Sequence, residues 1–287
     1  MRQVAFISGK GGTGKTVLSG ALSAIPKKQV IADCDVDAAN LHLLLHPERS
    51  EQYPFAGGNK PVIDPGICIE CGICREECRY EAITPEFRVN TLRCEGCGLC
   101  SHLCPVEAVR MEPQQVGEWY RSETRYGPFV HARLGVGQEN SGKLTSHIKQ
   151  TAKQIAGEQG ADYLLVDGPP GIGCPLIATI AGIDLAVIVT EPTLSAIHDL
   201  ERVSGVTHHF RVHTGVIINK YDLNEELTHH IESFSAEHGI QILGKLPFSE
   251  EVEHSVIQGI PLIEYSRNSF TDDLQDIWHK ISAYKRN

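Results

Sequence analysis

No apolar run in this 287-residue chain comes near the roughly 18 residues needed to cross a bilayer. No secretory leader is expected either: MRQVAFIS (1–8) runs directly into a glycine-rich loop and reads as a first core strand. Positive charge is in deficit, with 26 Lys and Arg against 36 Asp and Glu for a net charge of −10. Bulk electrostatics therefore give no basis for broad binding to nucleic acid or to anionic membranes. These absences lead to the expectation of a cytoplasmic protein whose partners include neither nucleic acid nor a membrane. Disulfides are rare in that compartment, so the ten cysteines point to metal. The composition, 41% hydrophobic and 22% charged, is that of a globular protein with one large domain, or a domain plus a small one.

The apolar run VAFIS (4–8), the loop GKGGTGKT (9–16) and the small-residue stretch VLSGALSAI (17–25) make a strand, a glycine loop and a helix in succession. That context identifies a P-loop, in which backbone N–H groups of Gly11, Gly12, Thr13 and Gly14 cradle phosphates at a helix N-terminus. Lys15 is expected to reach the β- and γ-phosphates and the Thr16 hydroxyl to ligate Mg²⁺. Further core strands follow at VIADCD (30–35), LLVDGPPG (164–171), LAVIVT (185–190), VHTGVIIN (212–219) and QILGKLPF (241–248), most of them trailed by helical patterns. Strands alternating with helices predict a mostly parallel α/β sheet flanked by helices, with the ligand at the strands' C-terminal ends.

Lys10 is not required by a plain P-loop. KGGTGKT (10–16) resembles the deviant P-loop of the MinD, ParA, Mrp and nitrogenase iron protein superfamily, a SIMIBI-type fold. The resemblance implies an ATP-sandwiching dimer in which Lys10 reaches the partner's nucleotide. It also implies that Asp35 is the switch I aspartate, orienting the attacking water beside Mg²⁺, although Asp33 and Asp37 are near neighbours. Asp167 matches the Walker B and switch II aspartate, holding Mg²⁺ through water. Asn219 is implied to bond the adenine, and Pro247 to pack on the base. NKYD (219–222) also fits the NKxD pattern that reads guanine through its aspartate, here Asp222, whereas the deviant loop favours ATP.

In the middle of the chain, CIECGICREECRYEAI (68–83) and CEGCGLCSHLCPVEAV (94–109) align without a gap at an offset of 26 residues. Both read C-x2-C-x2-C-x3-C, the two-cluster bacterial ferredoxin pattern, in which the fourth cysteine crosses to the other cluster. One [4Fe–4S] cluster is thus expected on Cys68, Cys71, Cys74 and Cys104. The other is expected on Cys78, Cys94, Cys97 and Cys100. The first run departs from the pattern in ending Cys78-Arg79 where a proline is usual. Two zinc ribbons or a disulfide scaffold are the competing readings, with zinc sites more often separating their CxxC pairs by longer loops.

An α+β ferredoxin-like insert over 60–112 follows, between GGNKP (57–61) and MEP (111–113). It splits the ATPase into 1–59 and 113–287 and lies between the second and third core strands. The arrangement resembles MinD-superfamily ATPases with an inserted ferredoxin domain, and the segment 125–144 resembles that group as well. Its cations, with Arg121 just before it, read either as docking charges or as part of a solvated β-hairpin leading to a helix at Ser141 or Gly142. Cys34 reads as a packed thiol. Cys174 reads as a buried thiol or as a functional one near switch II. The histidines around 208–213 and 229–230 read as a solvated helix face. Leu274, Ile277, Trp278, Ile281 and Tyr284 read as a core-facing helix rather than a membrane-binding one.

Three functions compete. The first is an ATP-gated switch passing electrons to a redox or metallocofactor-bearing partner protein, as a homodimer or a heterodimer with a paralogous ATPase. The second is an Mrp-like cluster or metallocofactor assembly ATPase. The third is a MinD- or ParA-like positioning ATPase, which leaves the cysteines unexplained.

Overall fold

The computed structural model describes residues 1–135 and 141–284. Over these residues the chain divides into two compact units, one from 1–53, 119–133 and 141–284, the other from 54–118 and 134–135.

The larger unit is built on a sheet ordered β3-β4-β5-β2-β6-β1-β7-β8-β9. Its strands are β1 (Arg2–Ser8), β2 (Gln29–Asp33), the inner ends of β3 (Arg49–Ile63) and β4 (Val109–Thr124), β5 (Gly127–Leu134), β6 (Tyr163–Pro170), β7 (Leu185–Thr190), β8 (His213–Asn219) and β9 (Gln241–Leu246). β1 lies between β6 and β7, and these pairs, with β2–β5, β2–β6, β7–β8 and β8–β9, are all parallel. The central strands are buried along nearly their whole length, as parallel strands covered on both faces must be.

The helices run in chain order α1 (Lys15–Ser23), α2 (His42–Leu45), α3 (Ile73–Glu76), α4 (Leu99–His102), α5 (Ser141–Glu158), α6 (Cys174–Ile180), α7 (Leu194–His209), α8 (Glu225–Glu237), α9 (Glu250–Ile257), α10 (Leu262–Tyr265) and α11 (Ser269–Ala283). Thr193, Asn224 and Ser249 cap α7, α8 and α9 by accepting from backbone N–H groups, and Asn268 opens α11 with a capping box to Thr271. Leu274, Ile277, Trp278 and Ile281 of α11 lie in the main core with Val4, Phe6 and Leu165. Burial of each contributes about 1.5–3 kcal/mol, so the apolar face of the last helix belongs to the core, as its spacing suggests. Lys285, at the end of that apolar stretch, lies outside the described residues.

Two expectations change here. The stretch after the cysteine runs is not a solvated hairpin: β5 is an interior strand beside β2, with Phe129, Val130 and Ala132 buried. Residues 136–140 of that stretch lie outside the described residues. Between the second and third expected core strands the chain also adds three strands to the sheet, β3, β4 and β5, so the cysteine segment departs from strands of the sheet rather than from a loop.

The chain enters the smaller unit along β3 and leaves it along β4. This unit brackets the residues 60–112. Within it the two cysteine runs have the same backbone course. Cys68 N–H donates to Asp64 O, and Cys94 N–H to Asn90 O. Left-handed Gly72 and Gly98 precede the one-turn helices α3 and α4, and left-handed Glu81 and Glu107 close each run. Ala82 N–H then donates to Cys78 Sγ at 3.4 Å and Ala108 N–H to Cys104 Sγ at 3.2 Å.

Candidate functional site

The loop between β1 and α1 sits at the C-terminal end of the central strand. Gly14, with φ +89°, is the left-handed residue before α1, and a Cβ there would lie 2.5 Å from Asn219 Nδ2. Glycine is needed at 14 for both reasons. A Cβ at Gly11 or Gly12 would meet nothing within 4 Å, so the space over the loop is open. Asn219, at the end of β8, donates through Nδ2 to Thr13 O at 2.8 Å and accepts from Lys220 N–H at 3.1 Å. Its amide therefore shapes the loop itself. Thr13 Oγ1 is buried with no hydrogen-bond partner among the described residues. A buried hydroxyl at the centre of a phosphate-type loop, beside open space and helix N–H groups, fits an anionic ligand.

Lys15, 6% exposed, donates to Asp167 Oδ1 at 2.9 Å, and its Nζ lies 3.8 Å from Asp35 Oδ2. Thr16 Oγ1 donates to Asp167 Oδ2 at 2.8 Å. Lysine, hydroxyl and two carboxylates are thus brought together. Burial acts to lower the Lys15 pKa, but the charges of Asp167 and Asp35 outweigh it and raise it. Asp35 is raised by burial, against the pull of Lys15. Asp33 is distinct from Asp35: fully buried, it accepts from Asp35 N–H at 3.1 Å and from Leu41 N–H at 3.2 Å. Burial, then the Asp167 charge, raises its pKa well above the usual range. β2 ends at Asp33, not at Asp35, because this side chain turns back to hold the following backbone. Asp37 is exposed.

Lys10 Nζ is held within its own chain, 2.9 Å from Glu191 Oε1 and 3.1 Å from both Thr193 Oγ1 and Ser195 Oγ. Glu191 also takes Lys220 Nζ at 3.1 Å. Burial alone would raise the Glu191 carboxyl, but the two lysines bring it below its ordinary value. Sequence reasoning missed Glu191; its signal is a carboxylate just past the end of a fully buried strand, as for Asp167. It also missed Lys149 of α5, whose Nζ caps the end of α6 by donating to the carbonyls of Ala178, Thr179 and Ala181 at 2.5, 2.9 and 2.6 Å.

Pro247 follows β9 and is half-buried. The next N–H, of Phe248, donates to Asp222 Oδ1 at 2.7 Å, so the aspartate of NKYD holds this turn. Cys34 is fully buried. Cys174 is not a buried thiol: it is exposed at the start of α6. His213 lies on β8 rather than on a helix face, and no group of three or more metal-ligating side chains stands ready for a single ion among the described residues.

In the smaller unit all eight cysteines are free thiols, so no disulfide scaffold is present there. They line two cavities. Cys78, Cys94, Cys97 and Cys100 line one of about 240 Å³, which Cys74 lines as well. Cys68, Cys71, Cys74 and Cys104 line a narrower one of about 10 Å³. The fourth cysteine of each run thus lines a cavity with the first three of the other. Four thiols facing one cavity, beside backbone N–H groups aimed at sulfur, are a donor set that fits an iron–sulfur cube. Burial pushes the Cys74 and Cys100 thiols up.

Comparison with known proteins bears on this geometry. The profile of the CobQ/CobB/MinD/ParA nucleotide binding domain matches residues 4–262. The uncharacterized protein MJ0578 of Methanocaldococcus jannaschii is 34% identical over 285 residues, 98% of this chain and 97% of its own. A second protein of that organism, MJ0579, is 23% identical over 78% of this chain and 82% of its own. Among solved structures, the septum site-determining protein MinD of Pyrococcus horikoshii, complexed with Mg-ADP, superposes with a TM-score of 0.59 at 18% identity, covering 98% of this chain and 96% of that one. At that identity the likeness shows the fold.

Proposed function

Because the chain belongs to the CobQ/CobB/MinD/ParA nucleotide-binding family, we propose that it is a Mg²⁺-dependent P-loop ATPase, a dimeric switch coupling its nucleotide state to electron transfer through two [4Fe–4S] clusters. The electrons go to a partner protein or a metallocofactor. The observation that carries the ATPase reading is the convergence of Lys15, Thr16 and Asp167 beneath an open glycine loop.

Phosphate oxygens compete with Asp167 for Lys15, a charge-assisted bond exchanged for another. Thr16 and Asp167, relieved of each other and of Lys15, would hold Mg²⁺, with Asp167 acting through water. Asp35, on the short segment pinned by Asp33, orients the attacking water. Lys10, once freed from Glu191, would supply positive charge to the partner's phosphates. Asn219 and Pro247 flank the base. The bond from Phe248 N–H to Asp222 supports ATP over GTP, since that carboxylate is engaged by the turn. Two relatives from one organism support a paralogous chain as an alternative dimer partner.

The eight paired cysteines carry the redox half of the reading. Clusters bound there would supply one-electron transfer; the thiolates hold them, and the N–H groups of Ala82 and Ala108 stabilise charge on sulfur. A positioning ATPase is the second reading, favoured by the structural likeness to MinD. It finds no free apolar face on α11, which is spent in the core. An Mrp-like carrier would leave one cavity's iron labile.

The test is anaerobic purification followed by ATPase assay and redox titration of the clusters, with and without Mg²⁺ and a non-hydrolysable ATP analogue. Hydrolysis with a nucleotide-dependent shift in midpoint potential is expected. Hydrolysis without iron would leave the positioning reading, and no hydrolysis at any protein concentration would refute the ATPase.

A further inference from the structure

The two cysteine runs share spacing, left-handed residues, N–H···S bonds and one-turn helices. With the backbones alike, a difference between the sites must come from side chains. One position stands out, the residue after each fourth cysteine. In the second run it is Pro105, which lines the cavity of Cys68, Cys71, Cys74 and Cys104 beside apolar residues such as Ile63, Phe87 and Val106. Among the described residues no charged side chain lines that cavity. In the first run it is Arg79, which lines the cavity of Cys78, Cys94, Cys97 and Cys100 together with Glu77 and Glu95.

We propose that Arg79 raises the reduction potential of the cluster held by Cys78, Cys94, Cys97 and Cys100 above the value that Glu77 and Glu95 alone would set. The inference rests on the cluster reading above. A cube on four thiolates becomes more negative by one charge when it takes an electron from an external low-potential donor. Neighbouring charge and solvation therefore decide how readily it accepts. An apolar wall penalises the more charged, reduced form, which lowers the potential on the Pro105 side. Glu77 and Glu95 alone would do the same on the other side by repulsion. Arg79, permanently charged at the same wall, opposes them. Arg79 is exposed, so its influence is attenuated by solvent and weakens as salt rises.

The experiment uses the full chain, reconstituted anaerobically with iron and sulfide, and reads metal content and a redox titration followed by electron paramagnetic resonance. In Arg79→Gln, iron content stays at the wild-type level and one midpoint falls while the other holds. A tenfold bias against reduction is expected, about 59 mV for a one-electron couple. Arg79→Lys restores the wild-type value, and Glu95→Gln raises the same midpoint. Full iron content with both midpoints unmoved in Arg79→Gln overturns the role of Arg79 and leaves the clusters standing. Loss of iron from Arg79→Gln that Arg79→Lys does not rescue also overturns it, making the residue a structural one. A wild-type chain that takes up no iron and sulfide overturns the cluster reading itself.

Discussion

The phosphate loop and the cysteine cavities are assembled on opposite principles. Lys15 and Asp167 meet across 152 positions of sequence, and Asn219 reaches Thr13 across 206. The cysteine runs are local turns repeated at an offset of 26, each carrying most of its own backbone support. A site made of long-range contacts exists only when the whole sheet does. A site made of local turns is damaged piece by piece. Substitutions in the first region should therefore couple binding to global stability, while those in the second should remove one cluster and spare the rest.

The sharpest way to break this contrast is Lys15→Ala. It leaves Asp167 buried without its cation, so nucleotide affinity should fall by about 100-fold or more and stability by about 3 kcal/mol. Titration calorimetry and urea unfolding would check both; lost binding with unchanged stability contradicts the long-range account. Next in size is acid sensitivity of the larger unit. Burial, then the neighbouring His42, lowers the His131 pKa from 6.5 to about 4, so the folded protein keeps this ring neutral where the unfolded chain takes up a proton. Stability is therefore complete above pH 6.5 and is lost as pH falls towards 4, by about 3 kcal/mol from this group. Denaturant unfolding of His131→Gln should show a flatter pH dependence across that window.

Smaller effects sharpen the contrast from within each region. Lys10→Ala should bind nucleotide within about twofold of wild type, since Lys10 is held by Glu191 at the surface, yet lose about tenfold in hydrolysis at high protein concentration. An unchanged rate would remove the role across the dimer. Cys100→Ser should halve the iron content while nucleotide affinity stays put. If both clusters vanish, the local description of the cysteine unit is wrong.

Much of the larger unit was legible because its central strands are unbroken apolar runs, bounded by the glycine loop at one end and by Asp167 and Asn219 at others. β3 and β4 were not legible. β3 is exposed along most of its length, with few apolar residues in alternation, and the cysteine runs separate it from its neighbour β4. Asp222 illustrates a contact that the letters of NKYD do not show: the turn after β9 brings Phe248 N–H to the carboxylate, a pairing set by register between strands. Glu191 was missed for the converse reason, since a carboxylate after a buried strand acquires meaning only when Lys10 and Lys220 arrive from elsewhere.

The fit of Asn219 against Gly14 constrains the history of this chain as well as its shape. An alanine at 14 would carry its methyl into the Asn219 amide, on a backbone with φ +89° that L side chains rarely adopt, so it would require the amide to leave Thr13. Each position thus sets what the other is free to become, a strong epistasis between residues 205 positions apart.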